Sequence, residues 1–127
     1  MPIGPVDTTK SPYARWRTVT RDGVLLQDGF WSKRQEINRS VSLVFGYAQL
    51  EKSGNFHNLR LAAGVEEGEY RTPMFMDSDV YKWLEALGYE LAANPNAELE
   101  RMANEAIDLL EAAQADDGYL DSYWQVV

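Results

Sequence analysis

The sequence predicts a mainly α-helical fold built from antiparallel helical hairpins, with one or two short β-strands near the N-terminus. Three observations lead there. Two segments, about residues 78–93 and 97–115, repeat apolar residues at spacings of three and four, the period of a helix with one buried stripe. Only Asn94-Pro95-Asn96 separates them, too short for anything but an antiparallel connection. A third apolar-periodic stretch runs from about Phe30 to Lys52.

Residues 1–14 are rich in Pro, Thr, Ser and Gly and read as an irregular arm. From Trp16 to Leu26, Trp16, Thr18, Val19, Thr20 and Val24 favour one or two short strands turning at Asp22-Gly23. A lone hairpin is marginal in water, and nothing else in the chain offers it a sheet. Residues 1–27 are therefore taken as an arm with short strands, and 28–127 as the helical part. After Asp28-Gly29 the helix from Phe30 carries Ile37, Val41, Val44, Phe45 and Ala48 as its expected buried stripe. Ser53-Gly54-Asn55 ends it by glycine capping, and a short helix from Phe56 to Ala63 stops at Gly64. Glu66-Glu67-Gly68-Glu69 is loop-like.

The next helix presents Val80, Trp83, Leu84, Leu87 and Leu91 on one face, and its partner presents Leu99, Met102, Ala103, Ala106, Ile107 and Leu110. Asp117-Gly118 closes the second. At 1.5 Å per residue the two helices come out nearly equal in length. The start of the first and the end of the second should then lie on one rim. That rim carries the run Met74-Phe75-Met76-Asp77-Ser78-Asp79-Val80-Tyr81-Lys82-Trp83 and the run from Asp117 to Trp124. The plain reading of the first run is a capped helix: Asp77 and Ser78 are good N-cap types, and Asp79 suits the positive end of the helix dipole. The other reading is one side of a polyol pocket, which combines flat apolar surface with a few placed polar groups.

Composition narrows the function. With 45% apolar residues, the 127-residue chain has enough to build a core. The net charge of −8 is uneven: residues 1–60 carry nine Lys/Arg against five Asp/Glu, and residues 61–127 three against fifteen. So acidic a second half argues against a nucleic-acid partner, whose phosphates need clustered cations. No apolar run is long enough to span a membrane, and the N-terminus lacks a signal-peptide pattern. There is no cysteine, hence no disulfide, thiolate nucleophile or sulfur-bound metal, and a cytoplasmic location is expected. His57 is the single histidine and reads as a structural or surface residue. No Gly-rich phosphate loop or nucleophile elbow occurs. Asp77, Asp79, Asp117 and Asp121 could supply a carboxylate pair for glycoside hydrolysis, but sequence spacing does not set their separation. Asp117 reads first as a turn residue before Gly118.

Asp28-Gly29-Phe30-Trp31, Asn58-Leu59-Arg60-Leu61-Ala62-Ala63-Gly64, Phe75-Met76-Asp77-Ser78-Asp79-Val80-Tyr81-Lys82-Trp83-Leu84-Glu85, Ala112-Ala113-Gln114 and Asp117-Gly118-Tyr119-Leu120 occur in that order. Over about residues 16–127 this succession resembles the N-terminal part of the β-L-arabinofuranosidase-like glycosidases, glycoside hydrolase family 127. The resemblance implies the opening helices of an (α/α)6 barrel, with β-sandwich domains elsewhere that would supply the sheet missing for residues 16–26. It implies a retaining exo-glycosidase with a cysteine nucleophile near a zinc ion, bound by further cysteines and a glutamate. Those residues lie downstream of the matched region, so no catalytic or metal-binding residue is assigned here. Zinc is expected only for a complete family enzyme.

The resemblance makes Phe75 a stacking surface for a sugar, Asp77 an acceptor for its hydroxyls, and Tyr119 and Asp121 flanks of the same opening. The expected partners are a carbohydrate, in a complete enzyme, and the remainder of the barrel or a second copy. The apolar end Tyr123-Trp124-Gln125-Val126-Val127 reads as truncation. The leading expectation is thus a segment inactive alone. Competing with it are a non-enzymatic helical interaction module and one chain of an obligate two-chain glycosidase.

Overall fold

A computed structural model describes residues 6–20 and 23–127, which are mainly helical. They divide into a unit that ends at Glu36 and a larger one from Ile37 to Val127.

In the first unit, threonine hydroxyls tie two irregular segments together. Thr18 donates to the Val6 carbonyl at 3.1 Å and Thr8 to that of Trp16 at 3.4 Å. The strands expected within 16–26 do not form among the described residues, because no neighbouring backbone completes a ladder. Asp22 of the expected turn lies outside the described residues. Ser32 accepts from the Gly29 N–H at 2.9 Å and donates back to the Gly29 carbonyl, opening helix α1 (Phe30–Ile37).

The second unit continues through a π-helical stretch, Asn38–Ser42, into α2 (Leu43–Ser53), α3 (Asn55–Ala62), α4 (Asp77–Leu91), α5 (Ala97–Ala113) and the short α6 (Ser122–Val126). Gly54 joins α2 to α3 at φ 95°, as its capping role requires, and a Cβ there would meet Arg71 Cγ at 2.5 Å. Asn96 caps α5 with its side-chain oxygen, which accepts from the Glu98 and Leu99 amides at 3.0 Å. The core joins Leu43 and Leu50 of α2, Phe56 and Leu59 of α3, Val80, Trp83 and Leu87 of α4, and Leu99, Met102, Ala103 and Ala106 of α5. The α4 and α5 faces match the predicted stripes except at Ile107, which is half exposed.

The α2 face does not match. Ile37, Val41, Val44, Phe45 and Ala48 are all exposed, Phe45 by 62%, whereas the packed face is Leu43, Tyr47 and Leu50. This helix is apolar on two sides, and periodicity alone cannot say which side a given stretch of chain covers. On the packed side, Trp83 wedges against Tyr47 and Phe56, and its indole N–H donates to the Leu43 carbonyl at 2.9 Å. Gly46 makes room for it: a Cβ there would sit 2.9 Å from Trp83 Cδ1. Gly46→Ala gains about 1 kcal/mol of helix propensity but forces the wedged indole to move, so a net loss of about 1–2 kcal/mol is expected. The shift of the urea midpoint measures it.

At the far end of α4, buried Glu90 accepts from Arg39 Nε at 2.6 Å and from Asn94 at 2.7 Å. This pairs its charge while it is withdrawn from water.

Candidate functional site

The site is assembled where α3, the loop 64–76, the start of α4 and the segment 114–127 meet. Three side chains of α3 hold the loop. Asn58 is fully buried and brackets Arg71, accepting from its N–H and donating to its carbonyl, both at 2.8 Å. Asn55 donates to the Met76 carbonyl at 2.7 Å, directly before α4. His57 sets Nδ1 2.7 Å from Glu66 and donates from Nε2 to the Glu69 carbonyl at 3.1 Å. It is thus a structural clasp, as its isolation in the sequence suggested. Arg60 extends the clasp by bonding Glu66 through Nε and gripping both oxygens of Glu51. The Arg60 guanidinium, helped by His57, holds the Glu66 carboxyl below its usual range.

This anchored loop delivers Phe75 and Asp77 to the rim, but not as capping residues. Met76 occupies the N-cap without a side-chain bond, and Ser78 donates its hydroxyl to the Phe75 carbonyl at 2.9 Å instead of accepting an amide. Asp77 lies within the first turn and is 7% exposed. Its carboxylate accepts from the Ser122 amide at 2.7 Å and from the Ser122 hydroxyl. Ser122 is completely buried, and Tyr70 stands 3.4 Å from its hydroxyl. The sequence expectation of one rim shared by these two runs is therefore realised as a bond across 45 positions.

The other predicted residues sit on the rim differently. Phe75 is 66% exposed, with its ring free for contact, and Tyr119 is about half exposed. The Tyr119 amide donates to Asp117 Oδ1 at 2.9 Å, so Asp117 is the turn residue it was read as. Asp121 caps α6, accepting from the Trp124 amide at 3.4 Å. Gln125 donates to the Ala113 carbonyl and accepts from the Asp121 amide, fastening α6 to the end of α5. Tyr123 stacks edge-on against both Tyr70 and Trp124.

Three rim residues escaped the sequence reading. Ser122 and Tyr70 carry no local signal, since only the tertiary fold brings them to Asp77. Tyr81 could have been found, because it lies four residues after Asp77 and so on the same helix face. Burial, and then the charges of Asp77 and Asp121, push the Tyr81 phenol up to about 12.

The rim is distinct from a recess of about 260 Å³ lined by Tyr47, Phe56, Val65 and Leu109. Polar groups beside that recess are already paired: Arg60 with Glu51, and Tyr47 with Glu105 at 2.8 Å. Among the described residues no three His, Cys, Asp or Glu side chains converge on a point where a metal could bind, and no described helix is long and apolar enough to cross a membrane. The cysteine and zinc chemistry of the resemblance does not fit the residues present, and no reaction step is assigned to a metal here.

Solved structures of similar fold identify the class. The chain is similar to a GH127 β-L-arabinofuranosidase from Geobacillus stearothermophilus T6, with a TM-score of 0.77 and 37% identity over 80% of this chain and 17% of that one. It is also similar to a second GH127 β-arabinofuranosidase, with a TM-score of 0.72 and 28% identity over 80% and 16%. The helical unit is thus of the glycoside hydrolase class. The model of the β-L-arabinofuranosidase GH127 catalytic domain matches residues 23–127, and the chain belongs to that family. A non-reducing end β-L-arabinofuranosidase of Bifidobacterium longum subsp. longum is 45% identical over 75 residues, 59% of this chain. The chain spans 11% of the length of that relative.

Proposed function

We propose that this chain is an N-terminal segment of a β-L-arabinofuranosidase-like glycosidase, forming part of the wall of an (α/α)6 barrel and one edge of its sugar pocket. The observation that carries this is the uncovered stripe Ile37, Val41, Val44, Phe45 and Ala48. An apolar face of this kind on a helix already packed on its other side calls for a further layer of helices. In a barrel, the neighbouring hairpins supply that layer. The substrate named for the relatives is a β-L-arabinofuranoside, and Phe75, Tyr119 and Asp121 would meet its sugar ring at the rim. Asp77 is placed behind them, holding the segment that carries Tyr119 and Asp121.

The nucleophile and zinc ligands would come from sequence outside this chain, so the chain alone does not hydrolyse a glycoside. Sedimentation and a release assay on a chromogenic β-L-arabinofuranoside test both points together. The expected result is self-association, reduced by Phe45→Lys, with no release of sugar. A monodisperse monomer would remove the argument for a missing layer, and hydrolysis by the purified chain would overturn the proposed division of labour.

A further inference from the structure

We propose that Tyr81 contacts the sugar directly, its phenol acting with the Asp121 carboxylate as a donor–acceptor pair for two neighbouring hydroxyls of a pentofuranoside. This rests on the reading of the rim as one edge of a sugar pocket. Tyr81 follows Asp77 by one helical turn and so stands on the same side of α4. Asp77 is bonded to Ser122, which brings the adjoining Asp121 to that side as well. The Tyr81 side chain is 38% exposed, and its hydroxyl makes no hydrogen bond among the described residues. In contrast, Tyr70 and Tyr47, the other half-buried tyrosines facing acidic groups, both engage protein partners through their hydroxyls.

The carboxylates near Tyr81 are committed unequally. Asp77 accepts twice from Ser122. Asp121 spends only Oδ1, on the long bond to the Trp124 amide, and Oδ2 accepts nothing among the described residues. The rim therefore offers one hydroxyl group that can donate and accept and one carboxylate oxygen that can only accept. Adjacent ring hydroxyls of a sugar can satisfy both, each donating or accepting in turn. The exposed rings of Phe75 and Tyr119 supply apolar surface on the same rim.

The test titrates the whole chain, with isotope-labelled aromatic rings, with methyl β-L-arabinofuranoside up to about 0.1 M, enough to saturate a site with Kd in the millimolar range. Saturable shifts of the Tyr119 and Trp124 rings are expected in the native chain. Tyr81→Phe keeps the ring and removes only the hydroxyl, so it should weaken the midpoint about two- to tenfold while the helical circular dichroism stays unchanged. An unchanged midpoint in Tyr81→Phe overturns the role given to Tyr81 and leaves the rim reading in place. No saturable shift in the native chain overturns the rim reading, and this proposal with it.

Discussion

Trp83→Ala is expected to abolish cooperative folding of the unit from Ile37 to Val127. The indole is buried among Tyr47, Phe56 and Leu43, with ring centroids 5.5 and 6.5 Å from the two aromatics. Truncating a buried tryptophan costs about 3–5 kcal/mol, because neighbours close only part of the cavity. Gly46 makes the loss worse: the helix there has no side chain to move into the space. A small domain has about 5–15 kcal/mol in total, and one with an uncovered apolar stripe sits toward the lower end. Urea titration followed by circular dichroism should show a broad, early transition or none. Trp83→Phe keeps most of the apolar contact and loses the bond to the Leu43 carbonyl, so it should cost about 1–2 kcal/mol and leave the transition cooperative. A sharp transition near the native midpoint in Trp83→Ala would mean that the wedge is not what joins α2, α3 and α4.

The second large effect is expected at Asp77. Removing its carboxylate leaves the buried Ser122 amide without its acceptor and the Ser122 hydroxyl with only the 3.4 Å contact to Tyr70. The stranded amide costs about 1–3 kcal/mol and the weakened hydroxyl about 1 kcal/mol more, so Asp77→Ala should lose about 2–4 kcal/mol. Part of that loss can be relieved locally, by α6 lifting from α3. Hydrogen exchange should therefore accelerate most at the Ser122 amide and through Val127, with the middle of α5 least affected. Asp77→Asn keeps one carbonyl oxygen for the Ser122 amide and should recover at least half of the stability. On the proposed reading, in which Asp77 positions the rim through Ser122, it should also preserve the sugar-induced shifts at Tyr119. A loss of those shifts in a well-folded Asp77→Asn chain would return Asp77 to direct binding.

These effects also mark how far the sequence could be read. The faces of α4 and α5 were legible because one buried stripe on each leaves a clear period. The joint at Gly54 was legible because an αL residue after a helix is nearly a glycine prerogative. The α2 face was misassigned for the converse reason: its apolar residues lie on two sides, and pattern gives no order of covering. The start of α4 was misread as capped by Asp77 or Ser78, because short polar side chains there normally accept first-turn amides. Here a competing acceptor demand, the buried Ser122, took the carboxylate instead.

The sequence by itself determined the helical class, the hairpin around Asn94-Pro95-Asn96 and the family to which residues 23–127 belong. It also placed the run from Met74 to Trp83 and the run from Asp117 to Trp124 at one end of that hairpin. These follow from local period, turn chemistry and motif order, all of which are written along the chain. Only the tertiary structure decided that Asp77 serves Ser122, that the Tyr81 hydroxyl beside it has no hydrogen-bond partner among the described residues, and that the stripe from Ile37 to Ala48 is exposed. The physical reason is range: a buried polar pair and the covering of an apolar face are set by partners far off in sequence, and no local pattern encodes which partner arrives.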